Sequence, residues 1–124
     1  MNHLTLLMRQ VHPQFFEDDE LSSQAFIVFP RDNGSLSVYD GDQSSAEDSH
    51  RHYTGILGLQ SVGVWAVNGE EVVSVGLTYQ SEPVEGNQAH AGIVFGARAK
   101  GECRRLAKLL RQFAVDRGSL YRAA

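Results

Sequence analysis

Ala99, Cys103, Leu106, Leu110 and Phe113 follow one another at spacings of 4, 3, 4 and 3. That is a single apolar stripe at helical period, and it predicts an amphipathic helix over 98–116. Gly118 stands where a glycine ends such a helix. Gly101, near its start, costs about 1 kcal/mol relative to alanine in a helix interior and could delay the first turn. A helix apolar on one side only must be laid on something. The segments before it are short runs of β-type residues, so the pattern points to a sheet with this helix packed across one face.

Those runs can be placed one by one. Residues 4–11, "LTLLMRQV", and 25–29, "AFIVF", read as strands, the second stopped by Pro30. Asn33-Gly34 carries turn chemistry, and 35–39, "SLSVY", alternates as a half-buried strand does, so 25–29 and 35–39 are expected to form a hairpin. Residues 44–57 read as a helix, with Ser44 and Glu47 at capping-box spacing, Ala46, Tyr53 and Leu57 turned inward, and Gly58 as its stop. Strands are expected at 61–67, 72–80 (interrupted at Gly76) and 89–97, with a turn or short helical start at 68–71 and a polar loop at 81–88. There is no regular βαβ alternation. The expected fold is therefore α+β, a mainly antiparallel sheet of about five to six strands with one mid-chain helix and a C-terminal amphipathic helix.

The 124 residues suit one domain, 1–124, and 42% hydrophobic with 21% charged residues is ordinary for a globular chain. Cys103 is the single cysteine, so no disulfide can close within the chain, and a cytoplasmic setting is expected. The start "MNHLTLLMRQ" lacks the long apolar stretch of a signal peptide. No apolar run approaches the roughly 18 residues of a membrane span, so no membrane partner is expected.

Charge is distributed unevenly. Residues 1–97 carry net −10 and residues 98–124 carry net +6, within a total of −4. Either the two regions neutralise each other in the fold, or they mark an interaction surface. The acids concentrate at Glu17, Asp18, Asp19 and Glu20, just after Phe15 and Phe16. Read functionally, this segment is a docking loop: two apolar anchors and four steering carboxylates for a basic protein partner. On the C-terminal helix, Lys100, Arg104, Lys108 and Arg111 form a stripe opposite the apolar one, able to bind phosphates or an acidic surface.

Catalytic signals are sparse. No HExxH, CxxC, EF-hand loop, GxSxG or Walker motif is present, so neither a metal nor a cofactor is expected. His12 and His90 stand at ends of predicted strands, where a histidine can reach a cleft and titrate near neutrality. With Ser23 and Gln24 they are the candidates for a small catalytic cleft. Cys103 lies on the apolar stripe and is read as a small buried hydrophobe.

Several stretches, "VHP" at 11–13, "SQAF" at 23–26, "LSV" at 36–38, "GVWAV" at 63–67 and "HA" at 90–91, resemble a family of small uncharacterised bacterial proteins. The resemblance covers most of the chain. It implies that His12, Pro13, Ser23, Gln24, Ala25, Phe26, Leu36, Ser37, Val38 and His90 belong to a family pattern, and it implies no activity. Where that pattern has a further acid in the last strand, this chain has Val94.

The sequence is compatible with three functions. The favoured one is a non-catalytic protein-interaction module of the immunity, antitoxin or regulatory kind, with a protein partner or a second copy as a homodimer. The alternatives are a small enzyme built on His12, Ser23, Gln24 and His90, and nucleic-acid or nucleotide binding through the basic helix. An overall pI near 5.7 disfavours nucleic acid.

Overall fold

The computed structural model describes residues 1–124. The chain is α+β: a six-stranded, wholly antiparallel sheet with a C-terminal helix packed on it. Strands β1 (Leu6–Gln10), β4 (Ser35–Asp40), β5 (Gly63–Asn68), β6 (Thr78–Ser81), β7 (His90–Val94) and β8 (Tyr121–Arg122) lie in the order β6-β7-β4-β1-β5-β8. A separate two-stranded hairpin joins β2 (Phe16–Glu17) to β3 (Glu20–Leu21). The helices are α1 (Ala46–Arg51), α2 (Gly69–Ser74) and α3 (Lys100–Arg117).

Successive residues of a strand face opposite sides, and the registers Leu7↔Val67, Met8↔Ala66, Val38↔Ala91 and Tyr39↔His90 sort the sheet into two faces. On one face Leu7, Leu36, Val38, Trp65, Val67, Ala91 and Ile93 meet the stripe of α3 in the main core. On the other, Met8, Tyr39, Val64 and Ala66 form a smaller core with Ala46 and Tyr53. α3 begins and ends close to expectation, with Gly118 at φ +86 as its cap. Cys103, Leu106, Ala107, Leu110 and Ala114 are its buried residues, and Cys103 is indeed a buried apolar neighbour rather than an exposed thiol.

Three expectations are corrected. Residues 25–29 form no strand. Ser22 Oγ accepts from Gln24 N (3.1 Å) and starts a 3₁₀ turn over Ser23–Phe26, whose Ala25 and Phe26 are fully buried beside α3. A second 3₁₀ turn, Pro30–Asp32, follows, with Asp32 Oδ2 accepting from Phe29 N at 2.7 Å. Asn33 and Gly34 do take left-handed conformations (φ 51 and 77), but they lead into β4, which pairs with β1 and β7 instead. Gly34 is required here: a Cβ would stand 2.9 Å from the Gly96 carbonyl oxygen.

The expected strand 72–80 is helical in its first residues. Asn68 Oδ1 accepts from Glu71 N and Glu71 Oε1 accepts from Asn68 N, both at 2.8 Å, a complete capping box that starts α2. The strand begins only after Gly76. Finally, the helix expected over 44–57 is capped by Ser45, not Ser44, and after Arg51 widens into a π turn over His52–Ile56. Leu57 does not face inward; it is 50% exposed.

Candidate functional site

The acidic segment is a built hairpin rather than a loose loop. Asp18 and Asp19 form its two-residue turn, both with positive φ (52 and 61), as the tight turn matching strand twist demands. Glycine or asparagine would do this with less strain; aspartate tolerates it at a cost of about 1 kcal/mol. The hairpin also sets Glu17 directly opposite Glu20, a like-charge pair that disfavours folding. Its foot is fixed by Phe16, whose ring lies 5.1 Å from Trp65, with the Arg122 guanidinium 4.5 Å above Phe16. Phe15 packs on the main core and lies 6.0 Å from the His12 ring. Both phenylalanines are thus half-buried supports of the hairpin, while Glu17, Asp18, Asp19 and Glu20 are exposed.

Between hairpin and helix lies a cleft of about 800 Å³. Glu17, Asp18 and Glu20 form one wall, Lys108, Arg111 and Gln112 the other, and Ser23 and Gln24 close one end. Acidic loop and basic helix therefore meet within one molecule. The closest tie uses a carbonyl: Arg111 Nε donates to Leu21 O at 2.7 Å. The ion pair made by the hairpin acids is Asp19 to Arg122, at 3.8 Å and with Asp19 mostly exposed, too open to contribute more than a few tenths of a kcal/mol. The carboxylates remain available to solvent. The basic stripe is split: Lys108 and Arg111 belong to this cleft, whereas Lys100 and Arg104 line a second groove further along α3.

The four catalytic candidates are not gathered in one cleft. His12 caps a 3₁₀ turn over Pro13–Phe15, its Nδ1 accepting from Gln14 N at 3.0 Å. Ser23 and Gln24 stand beside the acidic cleft. His90 points to the opposite face of the sheet, alongside Tyr39. Tyr39 is opposite both Met8 and His90, so His90 is two strands from Met8 and His12 is four residues further along. Sheet geometry then separates the two histidines by about 13 Å along the strands and about 10 Å across them.

His90 has a different partner. Its Nδ1 lies 2.7 Å from Glu82 O and its Nε2 3.2 Å from Ser37 Oγ. A carbonyl can only accept, so Nδ1 carries the proton and Nε2 is free to accept from Ser37. Next to this pair the Glu82 carboxylate accepts from Ser35 Oγ (3.0 Å) and Gln80 Nε2 (2.7 Å). It lies over Gly92, where a Cβ would stand 2.5 Å from Glu82 Oε1. In the sequence Ser37 is a polar position in an alternating strand and one residue of the resembled pattern, with nothing to link it to His90; the register across β4 and β7 is what brings the two together.

Two groups titrate away from their ordinary ranges elsewhere on the sheet. Burial pushes the Tyr39 phenol up to about 12, and the same hydroxyl lies 2.7 Å from His52 Nδ1. Burial lowers the Arg9 guanidinium, which is held by Ala25 O (2.7 Å) and Ser37 O (2.9 Å). Arg9 ties the 3₁₀ segment to the sheet and Tyr39 ties the π turn that follows α1 to it, and both belong to the scaffold.

Compared with protein-family models, with curated proteins and with solved structures, the chain finds no match. No helix is long and apolar enough to cross a membrane.

Proposed function

We propose that this protein is a non-catalytic interaction module, acting in the cytoplasm, whose recognition element is the acidic hairpin and whose partner is a protein presenting a basic surface. The observation that carries the reading is the hairpin tip. Two aspartates are held in left-handed conformations, Glu17 faces Glu20, and the foot is clamped on Trp65. Each feature lowers stability or restricts motion, and together they hold four carboxylates on a rigid projection. Local strain kept by a surrounding structure that over-determines it is a pointer to function. A rigid projection also loses little entropy on docking, and clustered charge speeds encounter with a partner of opposite sign.

The test is a crosslink followed by a measurement on purified components. A photoreactive residue at position 20 identifies a partner in cells, and its affinity is then compared with that of a variant carrying Glu17→Gln, Asp18→Asn, Asp19→Asn and Glu20→Gln. At least tenfold weaker binding and a flatter salt dependence are expected. Equal affinity in the two proteins, or no crosslinked partner, overturns the reading.

The same geometry separates stability from binding. Asp18→Asn with Asp19→Gly relieves the turn and removes two charges, so it should raise unfolding stability by about 1 kcal/mol while weakening the partner complex. A urea melt checks the first half; no gain would show that the turn stores no strain.

A second reading, a small hydrolytic or acyl-transfer enzyme, is favoured by the Ser37–His90–Glu82 carbonyl chain of bonds, which has the nucleophile, base and orienting group that such chemistry uses. A fluorophosphonate probe tests it. Ser37 Oγ would attack phosphorus, fluoride would leave, and the serine proton would pass to His90 Nε2. Labelling at Ser37 that disappears in His90→Gln supports this reading; an unlabelled Ser37 sinks it.

A further inference from the structure

The second groove on α3 lies apart from the acidic hairpin and differs from its cleft in charge and in texture. It measures about 430 Å³ and runs between residues 24–34 and the first turns of α3. That volume is in the range of small-molecule sites. Its apolar wall is Ile27, Val28 and Phe29, all half-buried, the first two packed on the main core. Its polar wall is Arg98, Lys100 and Arg104, and no acidic residue lines it. In a chain of net charge −4, three cations around one groove with no acid are a local inversion of the protein's field.

The cations differ in their commitments. Arg98 is held by main-chain carbonyls, Phe95 O and Gly76 O. Lys100 and Arg104 are exposed and make no ion pair. Acids on the neighbouring segments are engaged elsewhere: Asp32 accepts from Phe29 N at 2.7 Å, and Glu102 is paired with Arg105 at 2.7 Å. A fourth cation, Arg31, stacks over the Phe29 ring at 5.2 Å, at the rim of the apolar wall.

We infer that this groove binds a small amphiphilic anion: an aryl or short acyl body against Ile27, Val28 and Phe29, with a carboxylate, sulfonate or phosphate head between Lys100 and Arg104. The two walls call for both halves of such a ligand. An inorganic anion leaves the apolar wall wet, and a neutral apolar molecule leaves the two cations without a counter-charge. A nucleic-acid backbone needs a run of cations, and here the basic stripe is divided between two clefts.

The probe is 8-anilinonaphthalene-1-sulfonate, compared with the uncharged N-phenyl-1-naphthylamine. The wild type should bind the sulfonate with one site and the uncharged analogue at least tenfold more weakly. Lys100→Glu with Arg104→Glu, both at exposed positions, should weaken sulfonate binding at least tenfold while leaving the thermal midpoint unchanged. The location is read by lysine acylation and mass spectrometry. Bound sulfonate should protect Lys100 and leave Lys108, on the other cleft, as reactive as before. Equal binding by the double variant, equal binding of the uncharged analogue, or protection of Lys108 instead of Lys100 each overturns the inference. A lipid surface is the other source of the same chemistry. Sedimentation with phosphatidylglycerol vesicles, lost in the double variant, without protection of Lys100 by the soluble probe, would assign the groove to a membrane and overturn the small-molecule assignment.

Discussion

Phe26→Ala should lower the unfolding free energy by about 3–5 kcal/mol, the usual cost of removing a fully buried phenylalanine. Phe26 has no exposed surface and belongs to the main core, where its 3₁₀ turn lies against α3. For a domain of this size that loss is a large part of the total stability. A urea titration followed by Trp65 fluorescence would show the midpoint fall at unchanged slope. The neighbouring Gln24→Ala, at an exposed position of the same turn, should change stability by less than about 0.5 kcal/mol. If the two substitutions cost the same, the turn does not plug the core in the manner described, and residues 25–29 would have to be reconsidered as a strand with alternating faces.

The second large effect concerns Glu71, which does two jobs with one carboxylate. Its Oε1 completes the capping box of α2 by accepting from Asn68 N, and it is also 2.8 Å from Arg117 Nη1, while Oε2 is 3.2 Å from Arg117 Nη2. Arg117 Nη1 also reaches Ala66 O at 3.0 Å. The pair is mostly shielded, with side chains 24% and 20% exposed, so removing one partner leaves the other incompletely solvated. Glu71→Ala should cost about 2–3 kcal/mol, combining a lost cap and an orphaned guanidinium. A double-mutant cycle with Arg117→Met isolates the pair, and a coupling of about 1–2 kcal/mol is expected. A coupling near zero would mean that Arg117 holds α3 through the Ala66 carbonyl alone.

The parts legible beforehand were those whose evidence is periodic. The stripe from Cys103 to Phe113 specified α3 because only a helix brings those positions together, whereas Ala99, expected on the same stripe, is the exposed N-cap; the alternation over Ser35–Val38 specified β4. Residues 25–29 were misleading because a short apolar run is equally compatible with a buried strand and with a 3₁₀ plug, in which the adjacent Ala25 and Phe26 both turn inward and Ile27, Val28 and Phe29 stay half-buried. What decided it was a local event, the Ser22 hydroxyl bonding to Gln24 N, in competition with the sheet. The hairpin at 16–21 was hidden because its turn is Asp-Asp, without the glycine or asparagine that advertises such turns. The acids 17–20 were visible as a charged segment, but that Lys108 and Arg111 stand across a cleft from them depends on packing between distant segments. His90 was visible as a residue of interest and Ser37 as a pattern residue, but their pairing was not, since strand register is a property of the pairing and of neither strand by itself.

The strand order has a consequence for how the chain reaches this state. β1 is central, flanked by β4 and β5, and β4 finds its other neighbour only in β7. The helix that covers the main core follows every strand of the six-stranded sheet except β8. Most of the pairing therefore joins segments far apart in sequence, and loops must be closed before contacts reward them, which slows folding into the millisecond-to-second range. Until α3 arrives, Leu7, Val38, Val67 and Ile93 would form an uncovered apolar sheet face. Folding should thus be a single late event, and chains truncated before α3 should be prone to stick to one another.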